Sequence, residues 1–437
     1  MKIYALTAGA ALLAGAAWAG QTASPAPRPQ AQAAAQLPAT QALFQSYVST
    51  GKMPGIVGAF GAPGRPATFV TAGRIADGAN APAAGPDSLW RIYSMTKPIT
   101  GMAAMILVEE GKLRLDQPVH EILPAFRNMQ VLTDPEKSLA SRPAARPITI
   151  RHLLTHTAGL GYNIITTGPL KAEYEKRGIL PGAVNGLVEA QARQVRPKSL
   201  GEFADRVATL PLIADPGTRW SYSIGLDVLG AVVERAGGMP FERFLQTRIF
   251  TPLRMTSTYF TVPASETGRF ATNYLFAGDN RVPVDPAATS VYLQPPSFPY
   301  GGAGLVSSAR DYDRFLHMLQ NGGTLDGARV MKPETVRLAM SDLLPPGVTF
   351  AGIGGGTGGT QGGVRMGYGA GGSVYLEGRP GGPGKGTYGW GGAAGTIAYV
   401  DPENRVRGTI MVNYFPAERW PLRQEIPAAL AKDLGRR

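Results

Sequence analysis

A serine and a lysine lie three residues apart in the stretch Ser94-Met95-Thr96-Lys97. Residues at positions i and i+3 share one face of a helix, so the Lys97 amine can approach the Ser94 hydroxyl. A hydroxyl is a poor nucleophile until a neighbour takes its proton, and a lysine can do this when burial or other cations lower its pKa. The same spacing also occurs at ordinary helix starts, so the interpretation depends on the rest of the chain.

The residues after Lys97 predict the helix that would hold this pair. Pro98 is compatible only with a first helical turn, apolar residues recur from Ile99 to Val108, and Gly111 is typical of a helix end. Other patterns predict helices at 41–50, 225–235, 308–320 and 422–434, and strands at 55–60, 68–72, 396–400 and 406–413.

The N-terminus has the pattern of a secretory signal. Lys2 is followed by an apolar stretch and by an A-x-A cleavage site at 17–19, and an Ala/Pro/Gln-rich stretch comes next. We therefore expect a periplasmic or secreted protein. The predicted parts are a signal peptide, a disordered linker, an α/β domain in two segments and a mostly helical domain, at 1–19, 20–39, 40–111 with 300–437, and 112–299.

Composition excludes several classes of function. The formal net charge is +12, but lysine and arginine are scattered and no basic-aromatic pattern resembles a nucleic-acid motif. Four histidines, no cysteine and no H-E-x-x-H motif argue against a metal site and exclude disulfides. We expect no cofactor, no membrane-spanning segment in the mature chain and no nucleic-acid partner, and the oligomeric state stays open. A dinucleotide-like glycine pattern at 354–359 lacks a βαβ context and is interpreted as a loop.

Three further stretches carry chemical information. The string I-R-H-L-L-T-H-T-A-G-L occupies 150–160, and P-G-T-R-W-S-Y-S at 216–223 places Tyr222 just before a helix. The string Y-G-W-G-G-A at 388–393 has small residues where a strand edge would approach a ligand closely.

These strings, in this order after S-x-x-K, resemble the serine β-lactamase-like superfamily. That superfamily includes class C β-lactamases, D-Ala-D-Ala carboxypeptidases and family VIII carboxylesterases, and the resemblance runs from about residue 40 to the C-terminus. It implies an α/β fold with an antiparallel central sheet flanked by helices, an inserted, mostly helical domain, and a cleft between the two that holds Ser94.

The resemblance also implies roles for individual residues. Ser94 would be the acylated nucleophile, and Lys97 and Tyr222 would share the base role, the tyrosine being kept partly ionised by nearby positive charge. The backbone N–H groups of Ser94 and Ala393 would form the oxyanion hole. Deacylation would follow when water attacks the ester with Tyr222 as its base.

Two departures from the superfamily pattern bear on the substrate. Relatives that act on β-lactams or peptides usually have Asn two residues after the tyrosine, where this chain has Ile224, and K-T-G on the edge strand, where this chain has Trp390-Gly391-Gly392. Ile224 and the W-G-G residues are therefore the predicted substrate-binding positions. The lost amide and cation favour a neutral, apolar acyl substrate, as in family VIII esterases.

Three hypotheses follow. The first is an exported carboxylesterase for short-chain acyl esters that forms an acyl-enzyme, with acyl transfer as a close variant. The second is a class C-like β-lactamase or D-amino-acid peptidase, so the substrate is a small-molecule ester or amide. The third is a non-catalytic cell-envelope binding protein. Other polar or aromatic residues near the motifs are interpreted as packing or capping residues: His152, His156, Trp220 and Asp227.

Overall fold

The computed structural model describes residues 36–353, 360–361 and 363–435. The predicted signal peptide, the predicted linker as far as residue 35 and the glycine pattern at 354–359 lie outside the described residues. The first helix begins at Pro38, so the last two residues assigned to the linker belong to that helix. Gln36–Arg437 forms one compact unit, and the division into two domains stays a prediction.

The helices match the predicted ones closely. Their bounds are α1 (Pro38–Ser49), α2 (Thr96–Glu109), α3 (Ile150–Leu154), α4 (Gly168–Lys176), α5 (Gly186–Ala192), α6 (Leu200–Ala208), α7 (Gly225–Gly237), α8 (Phe241–Leu245), α9 (Ala309–Gln320), α10 (Pro333–Ala339) and α11 (Leu422–Asp433). Among the described residues, no helix combines the length and the apolar character that crossing a membrane requires.

The strands come mainly from the two ends of the chain. Their bounds are β1 (Gly55–Gly61), β2 (Thr68–Gly73), β3 (Leu89–Arg91), β4 (Gln130–Leu132), β5 (Ser141–Pro143), β6 (Asn273–Ala277), β7 (Asn280–Asp285), β8 (Val306–Ser308), β9 (Thr324–Leu325), β10 (Ala328–Arg329), β11 (Thr360–Gln361), β12 (Val364–Tyr368), β13 (Ser373–Tyr375), β14 (Tyr388–Gly391), β15 (Ile397–Asp401), β16 (Val406–Met411) and β17 (Tyr414–Phe415).

The central sheet is antiparallel throughout. In the described part of the chain it has eight strands in the order β11-β12-β13-β14-β15-β16-β1-β2. Side chains alternate between the faces of a strand, so Ile56 and Phe60 of β1 pack with α1 and α11, whereas Val57 and Ala59 join the larger core that contains α2 and α9. Helices therefore cover both faces of the sheet, which confirms the predicted fold class.

The helix after Ser94 runs through the larger core. Every residue from Thr96 to Leu107 is buried, and α2 packs against α7, whose residues from Gly225 to Val233 are also buried. A helix that is buried on all sides has its position fixed by its neighbours. Gly111 has φ +71°, the left-handed conformation expected where the helix ends.

The glycine-rich region after residue 350 differs from a simple loop. It contributes β12, β13 and β14 to the central sheet, and Tyr368, Val374 and Tyr388 of these strands are buried in the main core. Frequent glycines hide the two-residue alternation that identifies a strand in a sequence. Residues 385–387 lie in the turn region directly before β14.

Candidate active site

Ser94 lies in a single 3₁₀ turn, Tyr93–Met95, directly before α2. Tyr93 has φ +41°, a conformation that residues other than glycine rarely adopt. The turn is held on both sides of Ser94: Asn273 Nδ2 donates to the Tyr93 hydroxyl at 3.1 Å, and the Tyr312 hydroxyl donates to the Met95 carbonyl at 2.7 Å. Ser94 is buried but keeps 8% of its surface exposed, whereas Lys97 has none.

Lys97 has no exposed surface. Its Nζ donates to Ser94 Oγ at 3.2 Å and to the Gly302 carbonyl at 2.8 Å. These two acceptors fix the direction of a side chain that is otherwise flexible. The spacing of three residues therefore places the amine beside the hydroxyl, as the helical geometry predicts.

Tyr222 approaches Ser94 from the other side. Its hydroxyl lies 2.7 Å from Ser94 Oγ, and Lys97 Nζ lies 4.6 Å from the centre of its ring. The indole Nε1 of Trp390 donates to the Tyr222 hydroxyl over a longer distance, 3.4 Å. Ser94 Oγ is thus hydrogen-bonded by two groups that are able to move its proton, which is the arrangement that nucleophilic catalysis requires.

The loop that carries Tyr222 is fixed by the string at 150–160. The N–H of Gly217 donates to the Thr157 carbonyl at 2.7 Å, and the N–H of Ser221 donates to the His156 carbonyl at 2.9 Å. Gly217 has φ +77°, and a Cβ there would lie 2.7 Å from His152 Nε2. These contacts explain why the two strings occur together: the first supports the second.

Both histidines of that string have supporting roles, as predicted. His152 Nδ1 accepts the N–H of Thr149 in a capping box at the start of α3, and burial lowers the pKa of His152 to about 4. His156 Nδ1 accepts the N–H of Ser223 at 3.2 Å, and its ring lies 4.8 Å from that of Tyr222. Burial lowers the pKa of His156 as well, so both imidazoles are neutral at pH 7.

Trp390 lies in the part of β14 that has a neighbouring strand on one side only, among the described residues. Strand β14 pairs with β15 along its whole length, but β13 pairs only with Tyr388 and Gly389. The backbone of Trp390 and Gly391 is therefore unpaired on one side. The half-buried indole of Trp390 packs against the ring of Tyr222 with 5.7 Å between ring centres.

The turn after β14 lies against the segment that leads into Ser94. A Cβ on Gly392 would lie 2.4 Å from the Ile92 carbonyl oxygen, so only glycine allows this approach. Ala393 follows in the same turn and is exposed. The part of its N–H in an oxyanion hole stays a prediction.

A sequence profile of the β-lactamase family matches residues 40–431. The chain belongs to this family. Protein Rv1367c of Mycobacterium tuberculosis is 39% identical over 330 residues, which are 72% of this chain and 75% of that protein. The lovastatin esterase of Penicillium rubens is 31% identical over 390 residues, 84% of this chain and 90% of the esterase.

Solved structures agree with the sequence relatives. EstCE1, described as a hydrolase with promiscuous acyltransferase activity, superposes with a TM-score of 0.72 at 25% identity, and the match covers 90% of this chain and 97% of EstCE1. The fold is therefore the β-lactamase/transpeptidase-like fold. Relatives over most of the chain are named as esterases or hydrolases. This member of the β-lactamase family is an esterase-like serine hydrolase that acts on small molecules.

Ile224, two positions after Tyr222, lies in the main core. Its side chain has no exposed surface and belongs to the main core, and its N–H donates to the Gly161 carbonyl at 3.1 Å. Residues after Tyr222 turn at once into α7, which directs this side chain inward. Its part in binding substrate stays a prediction, and in this structure Ile224 anchors the loop that carries Tyr222.

Three neighbours of the site were not recognised in the sequence. The Tyr162 ring lies 5.4 Å from that of Tyr222, Gly302 supplies the carbonyl that holds Lys97, and Asp227 accepts the Gly302 N–H at 2.8 Å. Tyr162 lies two residues after the string at 150–160, and this is the one signal that could have identified it. Within the described residues, no group of three His, Cys, Asp or Glu side chains is arranged to hold a metal ion.

Proposed function

We propose that this β-lactamase-family member is an exported carboxylesterase that hydrolyses short-chain acyl esters through an acyl-enzyme on Ser94. The observation that carries the proposal is the position of Ser94 Oγ, within hydrogen-bonding distance of both Lys97 Nζ and the Tyr222 hydroxyl. The names of relatives that align over most of the chain, lovastatin esterase among them, support ester chemistry.

Acylation begins when Ser94 Oγ bonds to the ester carbonyl carbon and its proton passes to the Lys97–Tyr222 pair. The carbonyl oxygen then carries negative charge, which the N–H groups of Ser94 and Ala393 are proposed to stabilise. When the tetrahedral intermediate collapses, the bond to the alkoxy group breaks and that group takes up the proton, leaving as an alcohol. Water repeats the attack on the acyl-enzyme, with Tyr222 as base, and releases the acid.

The surroundings of Tyr222 support an apolar, uncharged substrate. Trp390 occupies the strand position where β-lactam- and peptide-hydrolysing relatives have a cation, and its indole packs with the buried rings of Tyr368 and Phe350 at 5.2 and 6.3 Å. An aromatic wall of this kind accepts an alkyl group and provides no charge for a substrate carboxylate. We therefore rank the esterase above the β-lactamase or peptidase alternative.

The decisive experiment compares the mature protein with its Ser94→Ala variant on p-nitrophenyl acetate, butyrate and octanoate and on nitrocefin. We expect ester hydrolysis that favours the short chains and falls by at least about 10,000-fold in the variant, with little turnover of nitrocefin. Ser257→Ala is the matched control, because Ser257 has the same exposed fraction, 8%, and is hydrogen-bonded to Arg269 instead. No turnover of any ester, or full turnover in Ser94→Ala, would refute the proposal.

Acyl transfer is the second candidate, and the description of EstCE1 favours it. Any nucleophile that replaces water at the acyl-enzyme yields a new ester or amide from the same intermediate. Adding a primary alcohol to the p-nitrophenyl butyrate assay and measuring the butyrate ester against free butyrate separates transfer from hydrolysis.

Export rests on the N-terminal sequence pattern. Expression of the full chain in a Gram-negative host should give a periplasmic protein whose N-terminus is Gly20. Retention of Met1, or of the whole chain in the cytoplasm, would contradict this part of the proposal.

A further inference from the structure

Asp227 is a carboxylate buried beside the site with half of its hydrogen-bonding capacity unused. The residue has no exposed surface, Oδ1 accepts the Gly302 N–H at 2.8 Å, and Oδ2 has no partner among the described residues. Buried acceptors are almost always satisfied, and leaving one unpaired costs free energy. We therefore expect the charge of Asp227 to stabilise another group in the site.

The group that needs this charge is Lys97. A buried ammonium ion is costly unless a negative charge compensates it, and the two acceptors of Lys97, Ser94 Oγ and the Gly302 carbonyl, are both neutral. Lys97 forms no direct ion pair in the described part of the chain. Asp227 is close enough to interact with it electrostatically, because the charge of Lys97 lowers the pKa of Asp227 against the effect of burial.

Gly302 links the two charges. Its N–H is held by Asp227 and its carbonyl by Lys97, so one residue is fixed from both sides. A Cβ on Gly302 would lie 2.6 Å from Asp227 Oδ2, so the close approach requires glycine. Asp227 lies in the first turn of α7 and Lys97 in the first turn of α2, so this link connects the starts of the two helices, directly after the segments that carry Tyr222 and Ser94.

We propose that Asp227 is a positioning residue, the buried counter-charge that keeps Lys97 an ammonium ion between Ser94 Oγ and the Gly302 carbonyl. This inference rests on the proposed function. An ammonium group has no lone pair to accept the Ser94 proton, so that proton passes to Tyr222 after the Tyr222 hydroxyl has released its own proton to solvent, which leaves an ionised oxygen. Lys97 then acts by charge: it stabilises that ionised oxygen and orients the Ser94 hydroxyl.

The charge of Asp227 should depend on pH within the range in which activity is measured. Burial raises the pKa of Asp227 to about 6, and the charge of Lys97 opposes part of that rise. The titratable groups that face Asp227 are Lys97 of α2 and Tyr162 of the loop before α4. As pH falls through about 6, Asp227 takes up a proton and the counter-charge is lost. Activity should therefore decline on the acidic side of pH 6.

The test measures kcat and KM for p-nitrophenyl butyrate, and the rate at which a fluorophosphonate probe labels Ser94, from pH 5 to pH 9. In Asp227→Asn, Oδ1 still accepts the Gly302 N–H but the charge is gone. We expect kcat and the labelling rate to fall by about 100-fold, KM to change by less than about threefold, and the decline below pH 6 to disappear. Unchanged kcat, or a decline that persists near pH 6, would overturn the inference.

Two further variants keep the test decisive. Asp311→Asn is the matched control: burial also raises the pKa of Asp311 to about 6, but its carboxylate binds the N–H of Ser257 and the hydroxyl of Thr258, so its pH profile should stay that of the wild type. If Asp227→Asn does not fold, Gly302→Ala displaces the carboxylate without removing it and should give the same loss; wild-type rates would refute the role. Loss in Ser94→Ala with no change in Asp227→Asn overturns only this inference, whereas activity in Ser94→Ala overturns the proposed function.

Discussion

Two cations are completely buried within six residues of each other, and their surroundings differ. Arg91 forms a direct ion pair with Asp285 at 2.6 Å, and its guanidinium also donates to the carbonyl of Ala271 and the hydroxyl of Ser290. Lys97 has two neutral acceptors, and Gly302 links it to the carboxylate of Asp227.

This difference separates a structural cluster from a reactive one. Around Arg91 the charges are paired directly and every nitrogen of the guanidinium donates a hydrogen bond, which lowers the cost of burial and fixes the strand before Ser94. The positive charge of Lys97 is compensated without a direct ion pair, and Asp227 Oδ2 has no hydrogen-bond partner in the described residues. Unpaired buried hydrogen-bonding groups lower the stability of the fold, and they leave protons able to pass between neighbouring groups.

Among the substitutions that test this difference, Tyr222→Phe is expected to lower kcat the most. The substitution keeps the ring that packs on Lys97 and His156 and removes only the oxygen 2.7 Å from Ser94 Oγ. We expect kcat for p-nitrophenyl butyrate to fall by about 10,000-fold with little change in thermal stability. A loss below tenfold would mean that the proton leaves Ser94 by another route, and Lys97 would become the candidate base.

A second prediction tests the structural cluster. Arg91→Met leaves the carboxylate of Asp285 buried without its partner, so the free energy of unfolding should fall by about 3 to 4 kcal/mol. Urea unfolding measures this, and kcat per folded molecule should stay within about threefold of the wild-type value. The double variant Arg91→Met with Asp285→Leu should recover most of the loss, because no buried charge remains. A collapse of kcat in the folded protein would erase the distinction between the two clusters.

Much of this arrangement was predictable from local patterns. The S-x-x-K spacing places Lys97 against Ser94 because both residues lie at one helix start, and the limits of α7, α9 and α11 follow from apolar periodicity and end signals. Tyr222 lies 128 residues from Ser94, so its place in the site came from the resemblance to a family and not from spacing.

What the sequence did not reveal depends on tertiary contacts. Asp227 has the position of a charge that stabilises a helix N-terminus, and only the packing of α2 on α7 turns it inward towards Gly302. Ile224 follows a catalytic motif but enters the core because α7 begins directly after it. In both cases the local pattern is correct and the neighbouring element decides which way the side chain faces.

The smallest effect on kcat is expected from substitution of Trp390, which contacts both the reactive Tyr222 and the buried ring of Tyr368. Its indole N–H donates to Tyr222 over 3.4 Å, a long and therefore weak bond, and its ring packs edge to face against that of Tyr368 with 5.2 Å between ring centres. Trp390→Phe keeps most of the aromatic wall, so kcat for p-nitrophenyl butyrate should fall by only about threefold, with KM nearly unchanged. Trp390→Ala removes the wall and should raise KM more than it lowers kcat, because the lost contacts are with the acyl group. If Trp390→Phe alone lowers kcat by about 100-fold, the indole N–H stabilises the ionised oxygen of Tyr222 in the transition state, and Trp390 belongs with Lys97 in the reactive cluster.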